Sequence, residues 1–255
     1  MGSKDILSPE FKDYPVQYFP AWLGGMFEIA GSMGFSIRLD KRKYIYADPT
    51  IAIVDNDLDR IKRLEEVAGG NIYARKSERS YQWVAKREHA VRLAELMKNY
   101  ALSRQETIDA FINWGMTDSS EERVEIAKTS RSVEREYPDL PVYMNLVANL
   151  DFLGGIIDAR GTIAAHEQYS PEDASGYILP GLHISSTNRP LVEALFLIYG
   201  GRVRVASSKG EEVEILGNKF TFTRESLQWN LQKSDPLLHV ISIVRPHLHL
   251  REVGF

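Results

Sequence analysis

The sequence predicts an α+β chain built from two pseudo-symmetric repeats, and three observations carry that prediction. The string WLGGMFEIAGSM at residues 22–33 returns as FLGGIIDARGTI at residues 152–163. The same order of helix-like and strand-like stretches, α-β-β-α-β-β-α, starts at each copy and runs through the residues after it. Two dipeptides recur in step with that order: Gly69–Gly70 with Gly200–Gly201, and Gln82–Trp83 with Gln228–Trp229.

Each repeat opens on its glycine string, an apolar helix that the final glycine, Gly31 or Gly161, releases into a strand. In the first repeat Met33, Phe35, Ile37 and Leu39 alternate with Ser32, Gly34, Ser36 and Arg38, the period-two pattern of a strand buried on one side. DNDLDRIKRLEEVAGG then places Leu58, Ile61, Leu64 and Val67 at helical spacing and stops on its glycine pair. NIYARK and SYQWVA read as strands and REHAVRLAELMKNY as the closing helix. The second repeat has TIAAHEQY and YILPGLHISS, the helix STNRPLVEALFLIYGG, the strands RVRVASS and SLQWNLQ, and the helix DPLLHVISIVRPHL. Boundaries at 15–102 and 148–255 leave 103–147 as a helical, charged linker. Within it RQETIDAFINWGM and TDSSEERVEIAKTSRSVEREYP read as helices, the second capped at Ser119 or Ser120. PDLPVYM reads as an extended connector, because proline disfavours helix at the residue before it.

With 255 residues the chain can bury a full core, and 44% hydrophobic with 26% charged residues is ordinary for a globular protein. It has no apolar run long enough to span a membrane and no secretory signal pattern at MGSKDILSPEF. The expected setting is therefore cytoplasmic, or organellar and nucleoid-associated, rather than secreted. The absence of cysteine excludes disulfides and thiolate metal sites. A net charge of −4 argues against indiscriminate nucleic-acid binding and leaves a local basic face open.

Adjacent glycines on a helix allow a second backbone to approach closely. Gly24–Gly25 and Gly154–Gly155 are accordingly expected to pack against each other at a pseudo-twofold axis. The residues just before Gly31 and Gly161 would then lie side by side, where acids holding a divalent metal could direct two phosphodiester cuts.

The strings resemble the LAGLIDADG motif, and the chain from about residue 18 onward resembles the single-chain, two-repeat homing endonucleases that carry it. Leu23 to Gly31 fills one copy of the motif and Leu153 to Gly161 the other. The resemblance implies saddle-shaped antiparallel sheets over the DNA major groove, a monomer, and Mg²⁺ as the cofactor of any cutting. It also implies that the acid before the final glycine holds the metal. Those positions here are Ala30 and Arg160, neither of which can bind Mg²⁺. Glu28 and Asp158 match the earlier motif acid, about 200° around the helix, and are expected to be structural rather than metal ligands. Ala30 reads as natural decay or as an inactivating change. Arg160 reads equally as a phosphate ligand or as the partner of Glu28 in a buried ion pair.

The resemblance further places supporting basic residues at Arg104 and Arg251, and water-orienting polar residues at Asp55 and Ser186. It directs attention to Ser32, Ser36, Arg38 and Asp40 on the first strand, then Lys41, Arg42 and Lys43 in the next turn, and Arg75, Lys76 and Arg79 in the second hairpin. In the second repeat it points to Thr162, Ala164, His166, Arg202, Arg204, Lys209 and Lys219. Phosphate contacts would position the duplex and outward polar side chains would read it. Acids nearby oppose phosphate: Glu167, Glu172 and Asp173 in one hairpin, Glu211, Glu212 and Glu214 in the other. The expected function is sequence-specific binding of double-stranded DNA with cleavage lost or impaired. The alternative is a repurposed scaffold that holds RNA, as intron-splicing maturases do, or a protein partner.

Overall fold

A computed structural model describes residues 19–41, 44–75, 79–130, 136–169, 176–215, 218–232 and 234–250. The chain divides into two compact units, residues 1–136 with 249–255, and residues 137–248.

The first unit opens on helix α1 (Phe19–Ile29). Its glycine string makes room inside its own unit, because a Cβ at Gly24 would overlap Tyr100, in the turn after the third helix. The helix ends where Gly31 takes φ +80°, a backbone conformation that side chains resist. Strand β1 (Ser32–Leu39) pairs with β2 (Ile45–Asp55), β2 with β4 (Ser80–Lys86), and β4 with β3 (Asn71–Arg75), all antiparallel, in the order β1-β2-β4-β3. Phe35, Ile51, Ile53 and Trp83 form the buried side, joined by Ile61 and Leu64 of α2 (Leu58–Ala68) and by Leu93 and Met97 of α3 (Glu88–Met97). Asp57 caps α2, accepting from the amides of Asp59 at 2.9 Å and Arg60 at 3.3 Å.

Residues 105–130 are not a solvated linker. Helices α4 (Gln105–Met116) and α5 (Ser120–Ser130, capped by Ser119) belong to the first unit. Phe111 meets the Phe35 ring edge-on at 5.0 Å, the Trp114 indole donates to the Ala47 carbonyl at 2.6 Å, and Val124 and Ala127 are buried. These apolar positions cover the sheet while the charges of α5 face water.

The second unit begins with a helix where an extended connector is expected. Helix α6 (Leu140–Val147) tolerates Pro141 because the proline lies in its first turn, where a backbone N–H has no helical partner to lose. Helix α7 (Leu150–Arg160) carries the second glycine string and is capped by Asn149. A Cβ at Gly154 would overlap the His247 carbonyl, matching Gly24 in the first unit. Gly161 ends α7 differently from Gly31: its φ of −65° is ordinary, but a Cβ would sit 2.7 Å from the Ile157 carbonyl oxygen.

Next come β5 (Thr162–Tyr169), β6 (Gly176–Ser186), α8 (Arg189–Tyr199) and β7 (Arg202–Ser207). A hairpin of β8 (Glu212–Ile215) and β9 (Asn218–Thr221), not expected from the sequence, precedes β10 (Ser226–Leu231) and α9 (Ser234–Val244). The sheet order β5-β6-β10-β7 reproduces that of the first unit.

One device explains both repeated dipeptides. The Trp83 indole donates to the Gly69 carbonyl at 2.6 Å, and the Trp229 indole donates to the Gly200 carbonyl at 2.7 Å. Gly70 and Gly201 have φ of +99° and +91°. A Cβ on either would press on that indole, 2.8 Å from its nitrogen in the first unit and 3.1 Å in the second. The tryptophan therefore locks the end of the second helix of each repeat to the sheet beneath it. Among the described residues no single helix is long and apolar enough to cross a membrane, and α6 and α7 meet at a 94° bend.

Candidate nucleic-acid interface

The C-terminal end of α1 is built around backbone groups. Glu28 is buried and accepts from the Ser103 amide at 3.1 Å, so its carboxylate holds the turn that leads into α4. Arg104 in the same turn is also buried and donates to the Gly31 carbonyl at 3.1 Å, directly beyond Ala30. Ala30 itself is buried and offers only a methyl group. In the second unit Asp158 is fully buried, and Arg160 is exposed. A buried ion pair is therefore not the setting of Arg160. Arg251 lies outside the described residues.

Asp55 and Ser186 shape strand-to-helix turns. Asp55 accepts from the Asp57 amide at 2.9 Å and pairs with Arg60 at 2.7 Å. Ser186 accepts from the Asn188 amide at 3.0 Å. Both acceptors thus present the residue that caps the following helix, Asp57 or Asn188.

The sheet of the first unit has one face away from its helices. Directly opposed residues share a face, so the register places Ser32, Ser36, Arg38, Tyr46, Asp48, Thr50, Gln82, Lys86, Asn71, Tyr73 and Arg75 there. Ser32 and Ser36 are accessible on it. Asp48 is the electrostatic centre of this face. It accepts from Arg38 at 2.6 Å and from Arg87 at 3.2 Å, which leaves one net positive charge in the triad. The Lys86 ammonium lies 5.5 Å from the centre of the Tyr73 ring. Arg87 takes φ +57° at the start of α3, a strained turn that places its guanidinium beside Asp48. Lys41 and Arg79 are exposed in the two hairpin turns, and Arg75 is half-buried at the end of β3. Asp40 closes the first turn by accepting from the Tyr44 amide at 2.9 Å, so it is tied to the backbone. Arg42, Lys43 and Lys76 lie outside the described residues.

In the second unit the corresponding face carries two rows. Thr162, His183, Asn230 and Arg202 stand side by side across the four strands, and Ser185, Gln228 and Arg204 form the next row. His183 Nδ1 and Asn230 Oδ1 lie 2.5 Å apart, while Arg204 Nε donates to Gln228 Oε1 at 2.7 Å. Ala164 belongs to the same face, opposite Gly181, and Lys209 is exposed in the turn after β7. His166, Glu167, Lys219 and Glu214 lie on described strands, but their side chains fall outside the described set, as do residues 172 and 173 entirely. Glu211 accepts from the Ser208 amide at 2.8 Å and so folds its turn.

No protein-family model matches the sequence, and no curated protein sequence matches it. Solved structures do. The chain superposes on the crystal structure of the I-LtrWI LAGLIDADG homing endonuclease bound to target DNA with a TM-score of 0.63 and 14% identity, over 94% of this chain and 86% of that one. The meganuclease I-SmaMI bound to uncleavable DNA gives 0.61 and 12%, over 89% and 82%. The LAGLIDADG homing endonuclease I-GzeII in complex with its DNA target gives 0.58 and 11%, over 89% and 84%. The fold is that of the LAGLIDADG homing endonucleases.

Within that LAGLIDADG fold the motif positions do not fit a divalent ion. Mg²⁺ takes hard oxygen ligands, whereas Ala30 offers carbon and Arg160 a cation. Glu28 is committed to the Ser103 amide and Asp158 is fully buried. Among the described residues no group of three His, Asp or Glu side chains is placed to hold a metal.

Sequence patterning missed Tyr46, Asp48, Tyr73, Gln82, Lys86 and Arg87 on the first face, and His183, Ser185, Gln228 and Asn230 on the second. Alternation in SYQWVAK and SLQWNL, anchored on the buried tryptophan, is a usable signal for Gln82, Gln228 and Asn230. The pairing of Asp48 with Arg87 has no local signal.

Proposed function

We propose that this chain binds double-stranded DNA in a sequence-specific manner through the outward faces of its two sheets, and that it has lost metal-dependent cutting. The observation that carries the first part is the pair of strand faces. They bear hydroxyl, amide, aromatic and guanidinium groups at alternate positions, the chemistry that positions and reads a duplex, and solved structures of the same fold hold DNA. The second part is supported by Ala30 and Arg160, which replace hard oxygen donors at the ends of α1 and α7. An exposed guanidinium at residue 160 has the charge and donor geometry to contact a phosphate oxygen. The proposed protein is a monomer that works where duplex DNA is present, in the cytoplasm, a nucleoid or an organelle.

A mobility assay on randomised duplexes at two salt concentrations tests the binding. Retention of a subset of sequences, weakened by added salt and independent of Mg²⁺, is the expected result. No duplex retention even at low salt overturns it, and preferential retention of structured RNA assigns the faces to RNA instead. For the lost activity, Ala30→Asp together with Arg160→Asp restores a carboxylate at each motif position. Cutting by the double variant with Mg²⁺, where the parent is inert, is the outcome this reading expects.

A further inference from the structure

The two sheet faces differ at one equivalent position, and the difference has a specific chemical meaning. Gln82 and Gln228 occupy the same place in the two repeats, each preceding the buried tryptophan. On the edge strand, the residue directly opposite is Tyr73 in the first unit and Arg204 in the second. Arg204 is exposed, and its Nε donates to Gln228 Oε1 at 2.7 Å.

We infer that Arg204, oriented by Gln228, reads a guanine in the half of the DNA site that faces the second unit. This inference rests on the DNA-binding reading above and gives it one base contact. An arginine has five N–H donors in a planar fork. The bond at Nε fixes the plane of that fork and leaves the two terminal nitrogens directed along the side chain. Two parallel donors at the tip of a fixed plane match guanine O6 and N7 in the major groove, the commonest specific arginine contact. The row in which Arg204 stands contains Gln228 and Ser185 and no carboxylate, so no acid of that row competes for the fork.

Three local contrasts support this assignment. Arg38 on the other face is held through a terminal nitrogen by Asp48, which consumes part of the fork that a base would need. Asn230, in the neighbouring row, is engaged with His183 and leaves Arg202 without an equivalent orienting amide from that position. Gln228 gives a lone pair of Oε1 to Arg204, which withdraws it from the two-point pairing that a glutamine makes with adenine. Gln228 is therefore a positioning residue, and Arg204 makes the contact. Because Tyr73 replaces the arginine in the first unit, the guanine preference belongs to one half-site only.

The test is binding-site selection from randomised duplexes with the full chain, and then competition binding with Arg204→Ala and Gln228→Ala. The unmodified chain is expected to select guanine at one fixed position in one half-site. Arg204→Ala is expected to lose that selection and to bind the preferred site about 10- to 100-fold more weakly, while binding a site with that guanine replaced as the parent does. Gln228→Ala keeps the charge and is expected to retain salt dependence while losing part of the guanine preference. Uniform weakening of Arg204→Ala across all sequences, with a shallower salt dependence, makes Arg204 a phosphate contact and overturns this inference alone. Unchanged guanine selection by Arg204→Ala also overturns it. Failure of the unmodified chain to bind any duplex overturns this inference together with the DNA-binding reading.

Discussion

Asp48→Asn is expected to move stability and DNA affinity in opposite directions. The Asp48 carboxylate holds Arg38 at 2.6 Å and Arg87 at 3.2 Å, and both arginine side chains are more than half exposed. Exposed pairs of this kind contribute about 0.2–1 kcal/mol each. Losing both therefore destabilises the chain by roughly 1 kcal/mol, a fall in Tm of about 2–4 °C for a protein of this size. On the face proposed to meet DNA the same change removes one negative charge and releases two guanidinium groups. One additional phosphate contact steepens the slope of log K against log salt by about 0.9, or roughly eightfold in affinity at 0.1 M salt. Thermal melting and fluorescence anisotropy on a duplex at several salt concentrations measure the two effects. A variant that melts lower but shows an unchanged salt slope refutes the placement of this face against phosphates.

Gly154→Ala and Gly24→Ala are each expected to destabilise by about 1–3 kcal/mol through overlap with the turn after the third helix of the repeat. Alanine is otherwise the better helix former by about 1 kcal/mol, so a rise in Tm in either variant would show that no close approach exists. Trp229→Phe deprives the Gly200 carbonyl of its donor and should reduce unfolding free energy by about 1–3 kcal/mol in denaturant melts, with Trp83→Phe behaving alike. His89 gives a pH dependence. Burial, the largest effect, pushes its pKa below the ordinary 6.5; Arg92 acts in the same direction and the hydrogen bond to Ala68 opposes both. The unfolded chain then binds a proton more readily, so this contribution to stability is complete above pH 6.5 and is lost as pH falls from there towards the depressed folded-state value. Urea melts at about pH 7.5 and about pH 5.5, on either side of that ordinary value, should show a smaller acid loss in His89→Gln than in the parent.

The glycine strings, Gly69–Gly70 with Gly200–Gly201, and the repeated Gln-Trp pair were legible because each is a local device with a fixed physical demand. They set helix ends, close approaches and one indole hydrogen bond, and the repeat order is readable from them. The within-unit neighbours of Gly24 and Gly154 were not legible. Gly24 and Gly154 each make room for Tyr100 or His247 of their own unit, a distant contact that spacing alone does not reveal. Prolines misled at 138–141, where the rule for the preceding residue outweighed the tolerance of a first helical turn. The charges of α5 hid the buried Val124 and Ala127. EEVEILGNKFTF contained β8 and β9 as alternation, a pattern obscured by the acids within it. Alternation placed Ser32, Ser36 and Arg38 on one strand face, where the pairing also sets them, and the pairing sets Arg202 and Arg204 on one face of the other sheet. Alternation could not distinguish the ion-paired Arg38 from the amide-oriented Arg204, because that depends on Asp48 and Gln228 arriving from other strands.

The most direct single measurement incubates the unmodified chain with its selected duplex and Mg²⁺, then resolves bound and denatured DNA on parallel gels. Ala30 and Arg160 predict a retained complex whose two strands are both intact after denaturation. A nick or double-strand break within the bound site would contradict the claim that this fold has kept its DNA surface and lost its cutting chemistry.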